Sequence, residues 1–375
     1  MTAYFDCAAT APLTHEARDA LLRYTDIAYG NAGSRTHGFG LEAKRGVDAA
    51  RSAVAAIAGA RADQVIFTSG ATEANNLAIL GLAAHGEESG RRHIVTTAIE
   101  HKAVLEPVEA LVARGFEATI VPPREDGRVD AGALLAAVRD DTLLVSVMQA
   151  NNETGALQPI KEIAEGLAGH PAYFHVDAAQ GFGKEFGALE HPRVELISVS
   201  AHKIYGPKGV GALIARRGTT RPPLRPLHFG GGQERGLRPG TLPVPLIAAF
   251  GAACEAAARD HARRRAACLA IRAQLLDALL PLGAVINGAV DQCLASTVNL
   301  SFPGLDSEAV MLSLKDVIAI SNGSACTSAS YEPSHVLVAM GLPVDRVDGA
   351  LRFSWWHESA EPDWGLVAER IRGLQ

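Results

Sequence analysis

The sequence predicts an α/β fold built around a mostly parallel sheet. Seven short runs rich in β-branched and apolar residues recur between residues 64 and 215. Helical patterns fill most of the intervals between them, and that alternation is the signature of helices layered on a parallel sheet. Composition agrees. Hydrophobic residues are 48% and charged residues 20% of the 375, which is globular and neither disordered nor fibrous. Aromatics are only 5%, so Ala, Val, Leu and Ile must fill the core.

The runs are QVIFT (64–68), HIVTT (93–97), EATIV (117–121), TLLVSV (142–147), YFHVDA (173–178), ELISVS (195–200) and VGALIA (210–215). Helical patterns lie at 72–84, 101–114 and 130–139. TLLVSV is apolar almost throughout, as a strand buried on both faces would be. Residues 218–240 are dense in Gly and Pro and read as a long irregular segment. From 244 to 280 an Ala/Leu-rich helical pattern runs nearly unbroken, a bridge between two units. The last hundred residues read as a smaller α+β unit. The length alone suggests two or three domains.

The same arithmetic excludes several function classes. A formal net charge of −6 gives no basic footprint for direct nucleic-acid binding. No run of 18 apolar residues exists, so no membrane span is expected. The N-terminus lacks the basic-then-apolar pattern of a secretory signal. Cys7, Cys254, Cys268, Cys293 and Cys326 form no CxxC pair, so neither a disulfide framework nor a metal site is expected. A reducing cytoplasm is the expected location.

Five segments carry candidate chemistry. In TSGATEANN (68–76) a strand runs through a Ser-Gly turn into a helix, offering the Ala71 and Thr72 N–H groups to a phosphate. An ordinary helix cap at Thr72 is the competing reading. In HVDAAQ (175–180), Asp177 ends an apolar strand, where ligands gather in open α/β sheets. It could pair with a cofactor cation or merely cap a helix. In SVSAHKIYGPKGVG (198–211), Lys203 follows another strand and could form a Schiff base if desolvated, or lie solvated at the surface. Together the three are the parts needed to hold pyridoxal phosphate. His101 starts a helix and could stack on a cofactor ring and relay protons, or make local hydrogen bonds. Cys326 sits in SNGSACTSAS (321–330), ten small or polar residues of loop character, where a thiolate could reach a substrate.

The chain resembles the NifS/IscS-like pyridoxal-phosphate cysteine desulfurases of the class V aminotransferase group, in the branch with a long cysteine loop. The motifs TSGATEANNLAI, EHKAV, NNETG, HVDAAQ, SAHKIYGPKG, GGGQERGLRPGT, SNGSACTSAS and ALRFS follow family order over nearly the whole chain. The resemblance implies a fold-type I enzyme. Its large domain would span 14–255 with a seven-stranded sheet, and its small α+β domain would comprise 1–13 and 256–375. It implies that Lys203 binds the cofactor covalently, Asp177 pairs with its pyridine nitrogen and Gln180 with its phenolic oxygen. His101 would stack on the ring. Ala71, Thr72, Ser200 and His202 would hold the phosphate. Thr241 would reach the phosphate of a neighbouring subunit, implying a homodimer. Arg352 would clamp the substrate carboxylate, with Asn152 and Asn31 assisting.

The implied reaction converts L-cysteine to L-alanine and leaves a persulfide on Cys326 for an acceptor protein. The sulfur could serve iron–sulfur clusters, tRNA thiolation, thio-cofactors or DNA phosphorothioation. Selenocysteine lyase and aminotransferase are the alternatives on the same scaffold. Three departures from the family pattern stand out: Cys7 in DCAAT, Pro239 before Thr241, and Trp355-Trp356 after ALRFS. Cys7 could be a second active-site thiol or a small buried residue.

Overall fold

The computed structural model describes residues 2–217, 221–322 and 333–375. After a short N-terminal strand, β1 (Ala3–Tyr4), all seven expected runs form strands. They are β2 (Val65–Thr68), β3 (His93–Thr97), β4 (Glu117–Val121), β5 (Thr142–Ser146), β6 (Tyr173–Asp177), β7 (Leu196–Ser200) and β8 (Gly211–Ala215). They make one sheet in the order β2-β8-β7-β6-β5-β3-β4. β8 runs antiparallel to both β2 and β7, and the other four pairings are parallel. The sheet is mostly parallel, as its sequence predicts.

Alternate residues of these strands enter different cores. Val65, Phe67, Val145, Phe174 and Val176 join one cluster, with Ile247 and Phe250 of the Val244–Leu279 helix. Ile66, Ile94, Leu144, Leu196 and Leu213 join another, with Leu77 and Val104. Burial on both faces explains why TLLVSV shows no polar alternation: all five residues of β5 are buried.

The helices His15–Leu22 and Gly38–Ile57 were not evident from the sequence. The longer one packs along Val244–Leu279 through small residues. A Cβ on Gly251 would lie 2.6 Å from the Ala50 Cβ. Such a contact needs glycine and alanine, which blur the apolar stripe that marks a helix in sequence.

The remaining strands are β9 (Val285–Asn287), β10 (Thr297–Ser301), β11 (Ile318–Ala319) and β12 (Ala350–Ser354). β9, β10 and β12 form an antiparallel sheet with β10 central, and β1 pairs in parallel with β11. A further core gathers Phe5, Leu275, Leu279, Val298, Leu300, Phe353 and Trp355. The Val244–Leu279 helix therefore gives its first half to one core and its second half to another, the bridge that its unbroken pattern implies. Trp355 is fully buried and its Nε1 donates to Cys268 O at 3.0 Å.

In the irregular segment, Glu234 and Arg235 adopt left-handed backbone angles, φ 47 and 60. Such angles are strained for residues with a Cβ and persist only where the surroundings fix them. Here the Glu234 carboxylate receives Arg51 Nη2 at 2.6 Å and the Phe67 N–H at 2.7 Å. Among the described residues, no helix is long and apolar enough to cross a membrane.

Candidate active site

The C-terminal ends of β2, β6 and β7 open onto one cavity of about 570 Å³. Ligands of open α/β sheets collect at such strand ends because the turns that follow leave backbone and side-chain donors unpaired. The cavity is large enough for a small cofactor with its substrate. Ala71, Thr72, His101, Asn152, Asp177, Gln180, Ser200, His202, Lys203 and Arg352 all line it. Asn31 and Thr241 do not. Asn31 is exposed, and its Oδ1 accepts from the Gly33 N–H at 2.8 Å, a local turn contact. Thr241 is exposed as well. Cys326 lies outside the described residues.

The helix Ala71–Leu80 has Gly70, not Thr72, at its N-cap, and no side chain caps it. Its first N–H groups have no acceptor within the helix, and its dipole favours an anion there. Ser200 and His202 border the same end of the cavity. Burial, with the Lys203 and Lys208 charges, holds the His202 imidazole down to about 4. The ring is therefore neutral near pH 7, and its Nδ1 lies 3.2 Å from Thr10 Oγ1.

Asp177 is the last residue of β6 and is 5% exposed. Its Oδ1 accepts from the Ala179 N–H at 2.9 Å and its Oδ2 from Asn75 Nδ2 at 2.7 Å. A buried carboxylate with two donors is held ready for a cationic partner. Lys203 ends the short turn after β7. Its Nζ donates to Ala8 O, and to Ala9 O at 2.7 Å. The surface reading of Lys203 is thereby excluded, for the amine is half-buried and faces the cavity.

His101 satisfies both readings of its segment. Its Nδ1 caps the Lys102–Val112 helix, accepting from the Ala103 N–H at 3.1 Å, while the ring lines the cavity. As the acceptor in that bond, Nδ1 carries no proton. Arg352, on β12, donates from Nη2 to Asp6 Oδ1 at 2.7 Å and from Nη1 to Asn152 O at 3.2 Å. Its buried Nε has no hydrogen-bond partner.

The Aminotransferase class-V family model matches residues 3–363. The chain belongs to the class V aminotransferase family. A cysteine desulfurase IscS of Anaeromyxobacter sp. (strain Fw109-5) is 45% identical over 381 residues, 99% of this chain and 93% of the relative. The crystal structure of DndA from Streptomyces lividans superposes with a TM-score of 0.83 at 47% identity, covering 95% of this chain and 100% of that one. The structure of SspA in complex with cysteine superposes with a TM-score of 0.84 at 35% identity, covering 94% and 98%. The family resemblance read from the motifs is therefore correct, and the chain is an IscS-like class V enzyme.

Several residues of this class V site escaped sequence reasoning. Asn75 lies within a quoted motif, but nothing local shows that it faces Asp177. Asp6 and the carbonyls of Ala8 and Ala9 come from the N-terminal segment, which β1 and β12 carry into the cavity. The Ser354 N–H donates to Phe5 O at 2.8 Å, and the Cys7 N–H to Ser354 O at 2.9 Å. Glu100, the chain neighbour of His101, is wholly buried. Its Oε1 accepts from Thr97 Oγ1 and the Met148 N–H, each at 2.8 Å. Burial pushes its carboxyl up to about 8. Cys7 does not line the cavity. It is 3% exposed, and burial pushes its thiol up to about 12. An unreactive buried thiol is what those values describe.

Proposed function

We propose that the protein is a cysteine desulfurase, converting L-cysteine to L-alanine and leaving sulfur as a persulfide on Cys326 for an acceptor protein. The observation that carries this reading is one cavity lined by an amine, a carboxylate and a guanidinium: Lys203, Asp177 and Arg352. Those are the groups that grip a pyridine cofactor and an amino acid together. The cysteine in the SspA structure supports the choice of substrate.

The donor set fits pyridoxal 5′-phosphate. The uncapped helix at Ala71 and Thr72, with Ser200 and His202, would hold the phosphate. Asp177 would pair with the ring nitrogen and His101 would lie on the ring face. Gln180 would meet the phenolic oxygen; its buried Oε1 has no protein partner while Nε2 donates to Ala8 O at 2.9 Å. When bound, the cofactor would supply an electron sink for charge developing at the substrate α-carbon.

The chain's own groups do the rest. Arg352 takes the α-carboxylate, with Asn152 beside it. The Lys203 amine, once free, removes the α-proton as a general base. The Cys326 thiolate attacks the substrate sulfur, forming the S–S bond. The carbon–sulfur bonding pair returns to carbon, which is protonated to give alanine. His101, whose Nδ1 is held by the Ala103 N–H, would move protons beside the ring. We also propose a homodimer in which exposed Thr241 reaches the neighbouring phosphate.

Alanine production from L-cysteine with a reductant tests the reading, comparing wild type with Cys326→Ser. Alanine from the wild type alone supports it. A cofactor-loaded wild type that releases none sinks it.

A further inference from the structure

The chain leaves the site at Ser321 and returns at Ser334, and both points are tied to site residues. At the exit, the Arg352 N–H donates to Ser321 O at 2.6 Å, and the Ser321 N–H to Arg352 O at 3.3 Å. At the return, Ser334 Oγ donates to Glu153 Oε2 at 2.5 Å and accepts the Leu337 N–H at 3.1 Å, capping the His335–Ala339 helix. His335 Nε2 lies 3.0 Å from Glu100 O. The two anchor residues, Glu153 and Glu100, are the chain neighbours of Asn152 and His101.

Glu153 is 3% exposed and Ser334 6%. The Glu153 N–H is fixed on Asn151 Oδ1 at 2.9 Å, and its carbonyl receives Asn299 Nδ2 at 3.4 Å. Burial raises its carboxyl, while His335, Arg352 and His101 all oppose the rise. The acid therefore lies among the imidazole expected on the ring, the guanidinium expected on the substrate, and the helix start where the Cys326 segment returns. A hydrogen bond to a carboxylate in a dry site is strong, and it leaves the hydroxyl little freedom.

We propose that the Ser334–Glu153 hydrogen bond is a positioning contact for sulfur transfer, fixing the chain end from which Cys326 is delivered to the substrate. The inference rests on the desulfurase reading. Neither Ser334 nor Glu153 lines the cavity. They set where the chain returns after Cys326, so their loss misplaces the nucleophile and leaves the steps at Lys203 and Arg352 intact. A misplacement of about 1 Å can cost about a hundred-fold in rate.

The test uses cofactor-loaded full-length Ser334→Ala, Ser334→Thr and Glu153→Gln beside wild type. Two readouts are taken: the cysteine-induced change in cofactor absorbance, and the single-turnover rate of one-sulfur mass gain on Cys326. The expected result is an unchanged absorbance response in all four. The persulfide rate falls about ten- to hundred-fold in Ser334→Ala, falls less in Glu153→Gln, and recovers in Ser334→Thr, which keeps the hydroxyl. A Ser334→Ala persulfide rate equal to wild type overturns the inference alone. Equal losses in both readouts, unrescued by threonine, also overturn it, because they mark a general packing defect. A wild type that gains no sulfur on Cys326 overturns the desulfurase reading and this inference with it.

Discussion

Arg352, which lines the cavity, donates to Asp6 across 2.7 Å, joining β12 to the N-terminal segment. The guanidinium expected to bind the substrate carboxylate thus already holds a carboxylate of its own chain. The pair keeps Arg352 extended, and it also competes with substrate. Asp6→Asn retains an acceptor oxygen but removes the charge. The apparent KM for L-cysteine should fall by up to about five-fold with kcat little changed, the scale of a partly exposed ion pair. A raised KM would show that orientation outweighs competition.

The Lys203 Nζ donates to the backbone carbonyls of Ala8 and Ala9. Lys203→Ala should lose the yellow colour of a lysine-bound cofactor. An unchanged visible spectrum would rule out Lys203 as the attachment point.

Cys326→Ser should keep cofactor and cysteine binding yet lose sulfur transfer by at least about a hundred-fold, since a hydroxyl is a far weaker nucleophile than a thiolate at neutral pH. The buried Cys7 thiol, pushed up to about 12, should not substitute for it. Mass analysis of the variant after cysteine treatment gives the answer. Sulfur found on Cys7 would contradict the burial argument.

Asn75 is the side chain that fixes Asp177, with its Nδ2 on Oδ2 at 2.7 Å. Asn75→Ala removes a donor from a buried carboxylate, a loss of about 1–3 kcal/mol in orientation and charge stabilisation. Cofactor dissociation, followed by absorbance after dilution, reads that loss. The expected outcome is looser binding by about ten-fold.

Glu100 should give stability a pH slope. Burial, with the Asp177 charge adding to it, pushes its carboxyl up to about 8. In the unfolded chain the same group ionises near ~4.3. The folded state therefore holds a proton that the unfolded state loses across that window. Its contribution to stability is fully present below about pH 4.3, declines as pH rises, and is gone above about pH 8. Glu100→Gln cannot ionise. The drop in melting temperature between about pH 6 and about pH 8 should be smaller than in wild type.

Much of this was legible in the sequence because it is written locally. The seven strands announce themselves as short apolar runs between turns. The strand-end positions of Asp177 and Lys203 follow from those runs, and so does the Ser-Gly turn before Ala71. The long Gly38–Ile57 helix escaped because its contact face is built of small residues, which carry little apolar signal.

What only the tertiary structure decided is how distant segments meet. β8 inserts antiparallel between β2 and β7, an order that no local pattern encodes. Asp6 reaches Arg352 across 346 positions, and Ala8 and Ala9 meet Lys203 across 195 and 194. These contacts exist because β1 pairs with β11 beside β12, which steers the first ten residues into the cavity. Periodicity fixes which residues of a segment face inward. It carries no information on which other segment they will face, because that depends on burying all the apolar surfaces at once.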